Sequence, residues 1–245
     1  MKCILLCAGY ATRLFPLTEN FPKALLEIGG RPLLDYILDE VNSLEQVDSI
    51  YLVTNAKYTP HFETWAKEKN NIKPITVIND GTSTNDDRLG AIGDINYTIE
   101  QAKIDDDVII IAGDNLFTFK LKEMVDFYEE KKAPIISVKE EKDRELLKRL
   151  GVAELDDDMR VIGFEEKPAE PKSNYSVYAE YIYSKEVLPI FKEYLAEGHS
   201  NDAPGNFVAY LHKKVPTYAY RFEGECYDVG THEALAMVNE LYKNK

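Results

Sequence analysis

Residues Val108–Ala112 are five apolar side chains in a row, closed by Gly113-Asp114-Asn115. A strand with no polar face must be covered on both sides, as a central strand is in a sheet sandwiched between helices. Residues 3–8, closed by Gly9, read the same way. Residues 31–44 carry apolar side chains at helical spacing, with Leu34, Ile37, Leu38 and Val41 on one face. Ser49–Thr54 and residues 75–78 read as further strands, Thr59–Lys69 and residues 89–102 as helices, and residues 80–87 as a polar loop. This alternation predicts an α/β fold, Rossmann-like and doubly wound, with a mostly parallel central sheet and helices on both faces.

The second half is richer in strands, expected at residues 133–140, 151–154, 161–165, 175–183 and 217–222, with helices at 185–197, near 207–212 and at 231–242. They predict a small β-rich lobe within one domain spanning residues 1–245, divided into halves 1–130 and 131–245. No internal repeat or low-complexity linker interrupts it.

Lys and Arg number 29 against 43 Asp and Glu, a net charge of −14. That balance argues against a nucleic-acid partner or an anionic membrane surface, both of which need clustered cations. A small anion remains admissible, because one pocket can be basic on an acidic protein. Cys3, Cys7 and Cys226 form neither a disulfide framework nor a zinc site by their spacing. The first two fall in an apolar strand as small hydrophobes. Gly9 and Arg13 interrupt the opening apolar run, so no signal peptide or membrane span is expected, and the reducing cytoplasm is the default compartment. The acidic runs at 105–107 and 156–158 read as solvated turns.

Leu6-Cys7-Ala8-Gly9-Tyr10-Ala11-Thr12-Arg13-Leu14 follows the first strand, with Pro16-Leu17-Thr18 and Pro22-Lys23-Ala24-Leu25 after it. Small residues at Ala8, Gly9 and Ala11 let backbone N–H groups approach an anion closely. Arg13 and Lys23 add two cations able to hold a triphosphate and stabilise departing pyrophosphate. Neither a Walker loop nor a dinucleotide fingerprint is present. Loop chemistry alone leaves an ordinary βα turn with two surface cations equally open. Asp114 ends the apolar strand, where α/β sheets bind ligands, and Asp228 lies in Tyr227-Asp228-Val229-Gly230-Thr231 before the last helix. Two carboxylates from distant segments can share Mg²⁺. Taken singly, Asp114 as a turn former and Asp228 as a helix cap are the plainer readings.

The pattern from Leu6 to Lys23 resembles the signature of the sugar-nucleotide pyrophosphorylase (sugar-1-phosphate nucleotidyltransferase) family, L-x-A-G-x-G-T-R-L-x-P-L-T-x-x-x-P-K. The one mismatch is Ala11, where the family usually has Gly. Gly113-Asp114-Asn115, Asp228-Val229-Gly230-Thr231, Leu150-Gly151-Val152-Ala153-Glu154, Phe164-Glu165-Glu166-Lys167-Pro168 and Ser173-Asn174-Tyr175-Ser176-Val177 resemble later blocks, so the likeness runs from Leu6 to about Asn239. It implies a short form without a C-terminal β-helix. The implied reaction is Mg²⁺-dependent joining of a sugar 1-phosphate to a nucleoside triphosphate, by in-line attack on the α-phosphate, with residues 1–130 binding the nucleotide and 131–245 the acceptor. By the same resemblance, Arg13, Lys23 and Lys167 are the catalytic cations and Asp114 and Asp228 the metal ligands. Leu6, Ala8, Gly9, Tyr10, Ala11 and Thr12 would surround the nucleotide with Arg13, Lys23, Asn85, Gly90 and Asp114. Asn115, Gly151, Glu166, Lys167 and Val177 would face the acceptor.

Three departures leave base and acceptor open. Ala179 replaces a usual Gly, residues 82–91 replace the usual base-reading segment, and residues 200–206 replace E-[IL]-T-D. Asp202 in the last of these lines the acceptor pocket or sits in a surface turn. Two other readings stand: a cytidylyltransferase for a non-sugar phosphate such as phosphocholine or a phosphonate, and a catalytically silent nucleotide-binding subunit. Self-association into a homo-oligomer stays open.

Overall fold

The computed structural model describes residues 1–69 and 71–243. β1 (Lys2–Leu6) is followed by a small hairpin, β2 (Glu27–Ile28) and β3 (Arg31–Pro32), then α1 (Leu33–Asn42), β4 (Ser49–Thr54), α2 (Thr59–Lys69), β5 (Ile75–Asn79), α3 (Gly90–Ala102) and β6 (Val108–Ala112). β7 (Asn115–Phe117), α4 (Leu121–Lys131), β8 (Ile135–Glu140), α5 (Arg144–Leu147), β9 (Gly151–Leu155), β10 (Val161–Glu166) and β11 (Tyr175–Tyr183) come next. The chain closes with α6 (Leu188–Ala196), α7 (Pro204–Leu211), β12 (Tyr218–Arg221), β13 (Cys226–Asp228) and α8 (His232–Tyr242).

Among the described residues a nine-stranded sheet carries the fold, in the order β10-β9-β11-β6-β1-β4-β5, with β8 pairing β11 and β12. β6, β1, β4 and β5 run parallel, as the strand–helix alternation requires. β11 enters antiparallel to β6 and makes the sheet mixed. Ile109 and Ile111 of β6 pack into one core cluster with α1, α2, α4 and α8, while Val108 and Ile110 pack into a second with α3, α6 and α7. Each of these four side chains is fully buried, which explains the run without polar residues. Burying an Ile is worth roughly 1.5–3 kcal/mol over leaving it exposed.

Helix α1 buries the expected Leu34, Ile37, Leu38 and Val41. It starts at Leu33 rather than residue 31, because Arg31 and Pro32 pair with Ile28 and Glu27. Helix α4 is absent from the sequence reading although Leu121, Met124, Val125 and Tyr128 carry its spacing and are buried. The 105–107 run is more than a solvated turn. Asp106 pairs with the Met1 ammonium at 3.0 Å, and Asp107 accepts from Tyr128 Oη at 2.6 Å and from the Lys185 N–H at 2.9 Å. Cys3 and Cys7 are buried free thiols. No helix of the described residues is long and apolar enough to cross a membrane.

Candidate active site

The segment after β1 turns at Ala11, which takes the left-handed conformation (φ 47°, ψ 43°) before the 3₁₀ turn Thr12–Leu14. That conformation costs an L-residue about 1–2 kcal/mol, which accounts for glycine at this place in the resembled pattern. The turn is held from several sides. Thr18 Oγ1 donates to the Ala11 carbonyl at 2.8 Å, and Asn55 Nδ2 to the Ala8 carbonyl at 2.9 Å. The Leu14 N–H also reaches the Ala11 carbonyl, at 3.0 Å. The loop, Lys23, the end of β6 and the 82–91 segment enclose a cavity of about 430 Å³, lined by Leu6, Gly9, Ala11, Thr12, Arg13, Lys23, Asn85, Arg88 and Asp114 among others.

Asp114 and Asp228 converge at this cavity on one cation. Lys23 Nζ lies 2.9 Å from Asp114 Oδ2 and 3.0 Å from Asp228 Oδ1. Lys23 is 8% exposed, and the two carboxylates are 44% and 58% exposed. Burial alone would depress the ammonium pKa, but the two carboxylates outweigh it and hold it above its ordinary value. β7 and β13 make the juxtaposition, since Asp228 is the register partner of Asn115 and the Val229 N–H reaches the Asp114 carbonyl at 3.3 Å. Asp114 does stand in the turn between β6 and β7, but Asp228 is not the helix cap. Thr231, not Asp228, caps α8, accepting the Ala234 N–H at 3.2 Å. Asp114 directs its carboxylate to Lys23.

The donor set suits Mg²⁺. Two part-exposed carboxylates already share a cation, and an octahedral ion takes one or two carboxylates and fills its other positions with water and phosphate oxygen. Among the described residues no cluster of three His, Cys, Asp or Glu side chains is placed as a closed metal cage, so such an ion would lean on its substrate.

Ala8, Tyr10 and Gly90, also expected at the nucleotide, stand off the cavity lining. Tyr10 is 6% exposed and packs against Tyr58 with ring centroids 6.1 Å apart. Its hydroxyl lies 3.4 Å from Thr82 Oγ1. Gly90 has φ +75°, and a Cβ there would strike the Asn201 carbonyl, coming 2.8 Å from its carbon. This close approach seats the 201–202 segment on α3, where the Ala91 and Ile92 N–H groups donate to the Asp202 and Asn201 carbonyls at 3.1 and 2.9 Å. Beneath Thr82, Asp80 Oδ1 accepts from its N–H and hydroxyl at 2.7 and 2.8 Å. The neighbouring buried Asp94 is pushed up to about 8, first by burial and then by Asp80.

The expected acceptor residues form a second group. Gly151 is the register partner of both Glu166 and Val177. Val177 itself is 6% exposed and packs in the core, its backbone lying between Gly151 of β9 and Val138 of β8, so its side chain does not face the acceptor group. A Cβ on Gly151 would meet Phe164 Cζ at 2.7 Å, and one on Gly205 would meet it at 2.6 Å. The Glu166 carboxyl is thus walled by two glycines. Burial raises its pKa, Lys167 lowers it, and Asp202 raises it. Lys167 has φ 48° and an exposed ammonium 3.9 Å from Glu166 Oε1. Asn115 is buried beneath the site at 8% exposure.

Two residues at the site carry no sequence signal of their own. Arg88 lines the cavity with Arg13 and Lys23, and Gly205 shapes the Glu166 wall. Neither sits in a recognisable pattern, although the two cations already named make a third nearby a natural candidate.

The family model described as nucleotidyl transferase matches residues 2–245. The chain is 31% identical over 232 residues to the bifunctional protein GlmU of Methanocaldococcus jannaschii, covering 94% of this chain and 51% of that protein. It is 30% identical over 258 residues to a glucose-1-phosphate adenylyltransferase of Geobacillus stearothermophilus, covering 97% and 65%. The chain therefore spans about half to two thirds of the length of these curated relatives. In fold it matches a UDP-glucose pyrophosphorylase complexed with UDP-glucose, at TM-score 0.81 and 22% identity over 98% of this chain and 97% of that one. A UTP-bound UGPase from Acinetobacter baumannii gives TM-score 0.80 and 20% identity over 98% and 92%.

Proposed function

The chain belongs to the nucleotidyl transferase family, and from that premise we propose that it joins a sugar 1-phosphate to a nucleoside triphosphate, giving a nucleotide sugar and pyrophosphate. The observation that carries this reading is the meeting of Asp114 and Asp228 on one cation at a cavity that Arg13 also lines. The acceptor class is supported by the Gly151–Glu166–Gly205 wall and by the relative whose name specifies glucose 1-phosphate.

In the proposed reaction a phosphate oxygen of the acceptor attacks the α-phosphorus. The bond from that phosphorus to the bridging oxygen of the β-phosphate breaks, and pyrophosphate leaves with the electron pair. The nucleophile is already anionic, so no side chain need remove a proton. The protein contributes position and charge. Arg13 neutralises the departing pyrophosphate, Lys23 the phosphates beside Asp114, and Lys167 holds the acceptor phosphate. Glu166 accepts from an acceptor hydroxyl. Mg²⁺ held by Asp114 and Asp228 would supply further charge neutralisation on the triphosphate.

The test is pyrophosphate release with Mg²⁺, screened over five nucleoside triphosphates against sugar and non-sugar phosphates. Release with at least one sugar 1-phosphate is expected. Release with phosphocholine or a phosphonate alone would replace the acceptor class, and silence with every pair would remove the enzymatic reading.

A further inference from the structure

Arg88 and Asp202 connect the nucleotide cavity to the acceptor side. Arg88 lines the cavity, its Nη1 donates to the Asn85 carbonyl at 3.0 Å, and its Nη2 lies 3.4 Å from Asp202 Oδ2. The two side chains are 43% and 63% exposed. An ion pair this long and this wet is weak. A phosphate offers the same guanidinium two parallel charge-assisted bonds, a stronger partner. The backbone need not move for the exchange, because the Asn201 and Asp202 carbonyls are fixed to the first N–H groups of α3. On its other side Asp202 is near enough to Glu166 to bear on its charge.

We infer that Arg88 is a third phosphate-holding cation of the nucleotide cavity, kept at rest by Asp202, and that an entering triphosphate draws it away and frees the Asp202 carboxylate for the acceptor. This rests on reading the cavity as a triphosphate site. It makes the two halves of one ion pair act with opposite sign on anion binding. Arg88 supplies an attraction, while Asp202 competes for Arg88 and adds negative charge nearby. A pair that merely stiffens the loop would show the same sign for both.

Titration calorimetry of the full chain with inorganic tripolyphosphate and Mg²⁺ tests this without knowledge of the base. Arg88→Gln is expected to bind about tenfold more weakly, a loss of about 1.4 kcal/mol. Arg88→Lys, with the charge but without the fork, should fall between. Asp202→Asn keeps the backbone carbonyl on α3 and is expected to bind a few-fold more tightly. Circular dichroism and melting of each variant check that the fold is retained. Unchanged binding in Arg88→Gln, or weaker binding in both Arg88→Gln and Asp202→Asn, overturns the inference alone. Absence of binding by the wild-type chain overturns it together with the reading of the cavity.

Discussion

Asp228 stands opposite Asn115 in the antiparallel pairing of β13 with β7, one residue from Asp114. Two carboxylates far apart in sequence are thereby fixed on one ammonium by strands of three residues each. If they serve one metal-bound triphosphate, they work as a unit. Asp228→Asn is expected to lower kcat at least about 100-fold, and the Asp114→Asn/Asp228→Asn double variant only slightly further. Steady-state pyrophosphate release measures both. Losses that multiply would separate the two side chains.

Ala11 pays a conformational cost that glycine would not. Ala11→Gly relieves about 1–2 kcal/mol of left-handed strain and gives back about 0.4–1 kcal/mol of unfolded-chain entropy. Urea unfolding should therefore show a small net gain in stability, about 0.8 kcal/mol. A clear loss would mean that the alanine methyl is packed usefully.

Gly205 is a test of the acceptor wall. A Cβ there would press on the Glu166 carboxylate and lie 2.6 Å from Phe164 Cζ. Gly205→Ala is expected to raise KM for the acceptor at least about tenfold, a change of about 1.4 kcal/mol, with KM for the nucleoside triphosphate nearly unchanged. Equal rises in both would place Glu166 outside the acceptor pocket.

Glu180 is fully buried in β11. Burial raises its pKa, the Ser137 hydroxyl lowers it, and Asp114 raises it, to about 7 from an ordinary 4.5. The folded chain then keeps a proton that the unfolded chain releases between these values. This carboxyl's favourable contribution is complete below about pH 4.5 and is lost as pH rises through about 7, a fall of about 3 kcal/mol. Glu180→Gln can still accept from Ser137, whose hydroxyl lies 2.7 Å from the carboxylate. Unfolding measured across this range should lose that share of its slope in the variant. An unaltered slope would assign the proton elsewhere.

How much of this is legible in the sequence depends on how local the determinant is. The parallel half of the sheet is legible because β6 and β1 write their burial into uninterrupted apolar runs. Of the loop, the small residues and Arg13 are legible because they stand together in sequence, whereas Lys23 and the two carboxylates it holds are brought to it by the fold. The β7–β13 ladder is not, since three-residue strands leave no periodicity and their pairing spans the chain. Arg88 and Gly205 act through neighbours brought by other elements, Asp202 and Glu166, so nothing beside them in sequence marks them. The left-handed turn at Ala11 is hidden by the very substitution that strains it.

The most direct measurement follows pyrophosphate and acceptor together, using the triphosphate and sugar 1-phosphate that the screen selects. With Mg²⁺, the wild-type chain is expected to release one pyrophosphate for each acceptor consumed and none without acceptor, and Asp114→Asn to retain no more than about one hundredth of that rate. Pyrophosphate released without the acceptor, or near wild-type turnover in Asp114→Asn, would contradict a phosphorylated acceptor attacking a triphosphate held at Asp114 and Asp228.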